Sequence, residues 1–107
     1  MASDFVIVLT TWPADRDADD FAKALVSERL AACVNVLPPM LSTYAWKGSI
    51  ESANERQVVI KTTAPRVHEL QTRLTALHPY EVPEFLVIPI LEGSPEYLSW
   101  LAEATRS

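Results

Sequence analysis

Glycine is nearly missing from this chain. Its 107 residues include only Gly48 and Gly93, too few for a glycine-rich phosphate loop or a Gly-x-Ser-x-Gly nucleophile elbow. Eight prolines against two glycines describe a stiff chain with few flexible linkers. A single cysteine, Cys33, excludes an intrachain disulfide. Positive charge is also scarce, with nine basic against fourteen acidic residues and a formal net charge of −5. Phosphate backbones are bound by clustered Lys and Arg, so nucleic acid is not an expected partner. The basic residues are scattered and build no basic amphipathic face. The longest apolar runs are far short of the roughly 20 residues that span a bilayer, so no membrane association is expected. Met1-Ala2-Ser3-Asp4 lacks a positively charged leader, and with the unpaired thiol this sets a cytoplasmic expectation.

What is present suits one globular domain over residues 1–107. Nearly half the chain, 49%, is hydrophobic, enough for a modest core without disulfides or metal staples. Phe5-Val6-Ile7-Val8-Leu9 is a short β-branched apolar run, ended by Thr10, Thr11 and Pro13, and predicts a strand buried on both faces. Ala18, Phe21, Ala22, Leu25 and Val26 recur at helical offsets, with acidic residues crowding the first turn, and predict a helix over residues 17–28.

From residue 33 to 46 the pattern alternates, with Val34, Val36, Met40, Tyr44 and Trp46 on one parity and a break at Pro38-Pro39. Lys47-Gly48 supplies a turn, and residues 49–62 return as a second strand. At ~3.3 Å per residue the outgoing arm reaches about 45 Å, beyond what one small chain can cover. Exposed Tyr44, Trp46 and Ile50 on such a ribbon invite pairing with another chain. Val67, Leu70, Leu74 and Leu77 mark a second helix with Pro65 near its first turn. A strand over residues 85–91 carries Pro89, which predicts an edge or a bulge. Ser94 and Pro95 open a terminal helix that packs through Tyr97, Leu98 and Leu101. The order is that of an α+β, ferredoxin-like βαββαβ domain with a long β2-β3 hairpin and a short C-terminal helix.

Between the second helix and the last strand lies His78-Pro79-Tyr80-Glu81-Val82-Pro83-Glu84. Each proline holds its predecessor, His78 or Val82, out of helix, so the segment presents an imidazole, a phenol and two carboxylates from a rigid connector, a common setting for function.

Three stretches now carry a family resemblance: Leu30-Ala31-Ala32-Cys33-Val34-Asn35, Tyr44-Ala45-Trp46-Lys47-Gly48 and the connector at 78–84. With Glu55, Lys61-Thr62-Thr63 and Tyr97-Leu98-Ser99-Trp100, the chain resembles the CutA family of divalent-cation tolerance proteins over nearly its whole length. The resemblance implies a homotrimer of ferredoxin-like subunits, similar in architecture to the PII signalling proteins, with hairpin arms reaching onto neighbours. It implies a role in copper and other divalent-metal tolerance, no enzymatic reaction and no obligatory cofactor. Copper-ligating positions of a bacterial member fall here on Thr10, Leu77 and His78, of which only His78 keeps a ligating side chain.

A thiolate and an imidazole suit copper or zinc, so His78 and Cys33 are the candidate metal contacts. The competing readings make Cys33 a small buried hydrophobe and His78 part of a polar network with Tyr80 and Glu84. Glu81 and Glu84 admit an acid–base pairing, against which stands Glu84 tied to Lys61 or His78 while Glu81 is solvated. Asn35, Lys61 and Glu55 are expected to line one inter-subunit cleft. Tyr44, Trp46 and Trp100 read as interface anchors before they read as a stacking platform, and Trp12 as cover for an apolar surface. The alternative function is a PII-like module that senses a small anionic or planar metabolite and acts through a partner protein. A hydrolase using His78 and Glu84 rests only on their proximity in sequence.

Overall fold

A computed structural model describes residues 4–107; Met1, Ala2 and Ser3, on which the expectation about a leader partly rests, lie outside the described residues. The elements are β1 (Phe5–Pro13), α1 (Asp19–Ser27), β2 (Cys33–Trp46), β3 (Ser49–Thr63), α2 (Val67–Leu77), β4 (Leu86–Pro89) and α3 (Pro95–Ala104), with a 3-10 turn at Ala64–Arg66 leading into α2. The four strands form one antiparallel sheet in the order β2-β3-β1-β4. Two strand–helix–strand crossovers therefore interleave, and α1 and α2 cover one face together. No helix among the described residues is long and apolar enough to cross a membrane.

Alternation in β1 builds the core. Val6, Val8 and Trp12 point to the helix side with Val58 and Ile60 of β3, against Phe21 and Leu25 of α1 and Leu70 and Leu74 of α2. The expectation of a first strand buried on both faces is corrected: Phe5, Ile7 and Leu9 are only half-buried, because no layer covers the second face. The strand also continues through Thr10, Thr11 and Trp12 to Pro13, since β-branched and aromatic residues suit a strand and proline, at its end, forfeits no needed donor.

Scarce glycine shows at the end of α1. Arg29 takes the left-handed conformation (φ 61°) usually given to glycine, and Leu30 N–H returns to Leu25 O at 3.0 Å. Arg29 offsets that backbone cost by donating its guanidinium to Glu103 O (2.9 Å) and Arg106 O (2.7 Å), tying α3 to the body. At the hairpin tip Lys47 (φ 48°) and Gly48 (φ 81°) form the predicted turn.

One irregularity changes the reading of the arm. Val36 pairs with Val58 but Pro39 with Arg56, so β2 carries one surplus residue. A bulge of this kind exchanges the two faces of the strand beyond it. Val34 and Val36 thus face the helices, whereas Met40, Tyr44 and Trp46 turn to the opposite side with Glu55 and Glu51. Their common parity is corrected accordingly. Two further corrections are smaller. β4 is confined to Leu86–Pro89, an edge strand that closes on its proline, and Tyr97 is exposed while Leu101 alone is fully buried in α3.

Leu74 is fully buried and its carbonyl receives the N–H of His78, so it joins the core to the connector. Leu74→Ala is expected to cost about 3 kcal/mol by cavity formation, read as a lower denaturant midpoint with an unchanged slope.

Candidate functional site

β4 pairs with β1 only as far as Leu9, leaving the edge of β1 free from Thr10 onward. Residues 78–84 run along that vacancy on their way from α2 to β4. His78 is extended (ψ 138°), as its proline neighbour requires, and its ring enters the helix side, 5.0 Å from Trp12 and 6.4 Å from Phe21 between centroids. Tyr80 N–H donates to His78 Nδ1 (3.0 Å), which makes Nδ1 the unprotonated nitrogen. Nε2 therefore carries the hydrogen and donates it to Thr11 O at 2.6 Å. Both ring nitrogens are engaged, and burial holds the imidazole's pKa below its ordinary value, opposed by the Thr11 hydrogen bond and the charge of Glu55.

From there the connector crosses to the other face of the sheet. Tyr80 Oη donates to Glu55 Oε2 (2.7 Å), and the same oxygen accepts Thr11 Oγ1 (3.3 Å). Burial, followed by this carboxylate partner, raises the Tyr80 phenol well above its usual range. Gln57 Nε2 joins the two walls, donating to Thr10 O (2.8 Å) and to Glu84 Oε2 (3.0 Å). Between the connector and the arm lies a cleft of about 790 Å³. Its walls include Met40, Tyr44 and Trp46 from β2, Glu51, Glu55 and Gln57 from β3, and Tyr80, Glu81 and Glu84 from the connector. The bulge is what delivers Met40, Tyr44 and Trp46 here.

The expected site residues thus separate into two groups. Tyr44, Trp46, Glu55 and Glu84 meet at the cleft. Cys33, Asn35 and Lys61 do not line this intrachain cleft; Asn35 and Lys61 share the sheet face of Glu55, and the cleft expected for the three lies between subunits. Cys33 is half-buried in the sheet row Cys33–Lys61–Ile7–Ile88, with Sγ 3.7 Å from Asn35 Oδ1. His78 is fixed four residues further along β1, roughly 13 Å at ~3.3 Å per residue, so the two candidate metal contacts do not converge within one chain. Among the described residues no group of three or more His, Cys, Asp or Glu side chains is placed to hold a metal.

Other pairings change partners. Glu84 is held by Gln57 and not by Lys61 or His78, and Glu81 is solvated. Lys61 instead lies over the ring of Tyr97 (5.9 Å). With His78 committed to backbone groups, no His78–Glu84 dyad forms, so the hydrolase pairing has no geometry behind it. Trp100 pairs with Tyr97 on α3 (5.4 Å), away from the cleft. Trp12 stacks on Phe21 at 4.4 Å and is core; its Nε1 is a buried polar atom without a hydrogen-bond partner, for which the surroundings offer no compensation beyond ring contacts. Thr11, Met40, Glu51 and Gln57 were not legible as site residues, although the double proline marked the irregularity that brings Met40 in.

Protonating His78 would set a second N–H against that of Tyr80 and unlatch the connector. Its folded-state pKa is depressed while the unfolded chain titrates near 6.5, so the unfolded state binds more protons and stability falls as pH drops below that value. Urea midpoints are expected to be lower at pH 5 than at pH 7.5, with the difference reduced in His78→Gln.

The model of the CutA1 divalent ion tolerance protein family matches residues 6–104. A divalent-cation tolerance protein CutA from Thermus thermophilus is 48% identical over 92% of this chain and 96% of its own length. A CutA homolog from Danio rerio is 41% identical over 92% of this chain, which spans 65% of that longer protein. The crystal structure of CutA from Xylella fastidiosa superposes with a TM-score of 0.92 at 44% identity, covering 97% of this chain and all of the other.

Proposed function

The chain belongs to the CutA1 divalent ion tolerance family, and we propose that it serves divalent-metal tolerance, copper included, as a non-enzymatic cytoplasmic homotrimer of ferredoxin-like subunits. The sheet order β2-β3-β1-β4 with paired crossovers supports the ferredoxin-like reading. The observation that carries the assembly is apolar surface that one chain leaves open. On the face away from α1 and α2, Leu86 and Ile88 are 54% and 44% exposed, and on the arm Ile50 reaches 85%. Large apolar side chains left open in this way, on the sheet face and on the arm, mark interfaces, and copies of the same chain in closed symmetry are the simplest partners.

The metal is accordingly assigned to the assembly and not to a cage inside one chain. Cys33 on the open face and His78 on the connector are its proposed contacts, with His78 releasing the Tyr80 N–H to free Nδ1. A second reading, a PII-like small-ligand module acting through a partner protein, is favoured by the aromatic-walled cleft, whose size suits a small organic molecule.

Light scattering is expected to give about 36 kDa, three times the chain mass of 11.9 kDa; a folded 11.9 kDa particle at micromolar concentration removes the trimer. Calorimetric titration with copper and zinc should show weakened binding in Cys33→Ala and His78→Ala. Identical isotherms for both variants and the parent dismiss these contacts.

A further inference from the structure

Glu55 is the most unusual charged group in the molecule. It is only 7% exposed, yet no Lys or Arg pairs with it among the described residues. Its two hydrogen bonds both come from neutral hydroxyls, those of Tyr80 and Thr11, and both end on Oε2. Buried carboxylates are ordinarily matched by a cation; here both hydroxyls bond Oε2, and the residue lines the cleft. Three more glutamates line the same cleft against a single lysine, Lys47, and none of them is ion-paired. An anionic guest, one of the two metabolite classes that the alternative reading of the sequence offered, is therefore disfavoured at this site.

The walls narrow the class of cation. Tyr44, Trp46 and Tyr80 supply aromatic surface, and ring faces attract ammonium groups through their quadrupole. The protein already shows the interaction: Lys47 Nζ lies 5.4 Å from the Trp46 ring centroid. A compact metal ion gains little from such walls, and the carboxylates do not converge on one point.

We propose that the cleft between the β2-β3 arm and residues 78–84 binds an organic ammonium cation, with Glu55 as the counter-ion at its floor and Trp46 and Tyr44 as the aromatic wall. This rests on the small-ligand reading of the cleft and adds its ligand class. The guest's charge replaces the missing partner of Glu55, and its alkyl groups cover ring surface that is otherwise wet.

The test is calorimetry on the full chain in its native assembly, with tetramethylammonium and 1,4-diaminobutane as probes and 1,4-butanediol, succinate and magnesium as size- or charge-matched controls. Saturable binding of the ammonium probes alone is expected. Glu55→Gln, which keeps an acceptor for Tyr80, should weaken it at least about tenfold. Trp46→Leu, at a half-exposed position outside the core, should weaken tetramethylammonium about threefold with the far-ultraviolet circular dichroism unchanged. Ammonium binding that Glu55→Gln leaves intact overturns the inference, as does saturation by magnesium at the same site. If succinate or butanediol binds and the ammonium probes do not, the cleft reading survives and the cation inference falls. If no probe binds, both fall, the result expected of a cleft filled by a neighbouring copy.

Discussion

A single surplus residue between Val36 and Pro39 determines which side of the sheet the arm addresses. Before the bulge the even-numbered side chains of β2 belong to the core with α1; after it they belong to the opposite face with Glu55 and Glu51. Without that exchange Tyr44 and Trp46 would face the helix side, where the protruding arm has no helix to meet, and the cleft would lose its aromatic wall. Proline at 38 and 39 makes the interruption affordable, because neither residue can donate to the ladder and an edge strand tolerates the gap.

The connector at 78–84 solves a complementary problem. β4 is short, so the outer edge of β1 beyond Leu9 would present unpaired backbone groups beside the core. His78 supplies a side-chain donor to the outward carbonyl of Thr11, performing there what a longer β4 would have done with its backbone. Two prolines prevent the segment from simply extending the strand or the helix. The result is a wall whose position depends on the protonation state of one buried imidazole, while its inner surface depends on Tyr80 and Glu84.

Element order, the hairpin and the caps were legible because they are local. Ser94 accepts the N–H of Tyr97 as its type suggests, and Lys47-Gly48 turns where a left-handed pair is needed. The facing of the arm was not legible, since parity along a strand carries across a bulge only if the bulge is counted. The partners of the site residues were hidden for a related reason: whether Lys61 meets Tyr97 or Glu84 is decided by sheet register, a long-range property with no local signature. Cys33 and His78 looked like one ligand pair as residue types, and four residues of strand separate them. Glu55, by contrast, was visible only as one glutamate among many, because what distinguishes it is burial without a cation.

Assembly and cleft chemistry are physically coupled through the arm. Tyr44 and Trp46 sit on a ribbon anchored at one end only, so in an isolated chain any guest must bear the entropy of ordering the wall it contacts. In the proposed trimer, burying Leu41 and Ile50 on the reverse of the same ribbon would fix it beforehand. A cation at Glu55 then meets a preformed wall, and by linkage its binding must favour the assembled state by the same free energy with which assembly favours binding. The two apolar-bearing faces of the arm thus serve one end: one side holds the ribbon still, and the other presents aromatic surface to a buried charge that the chain itself leaves unmatched.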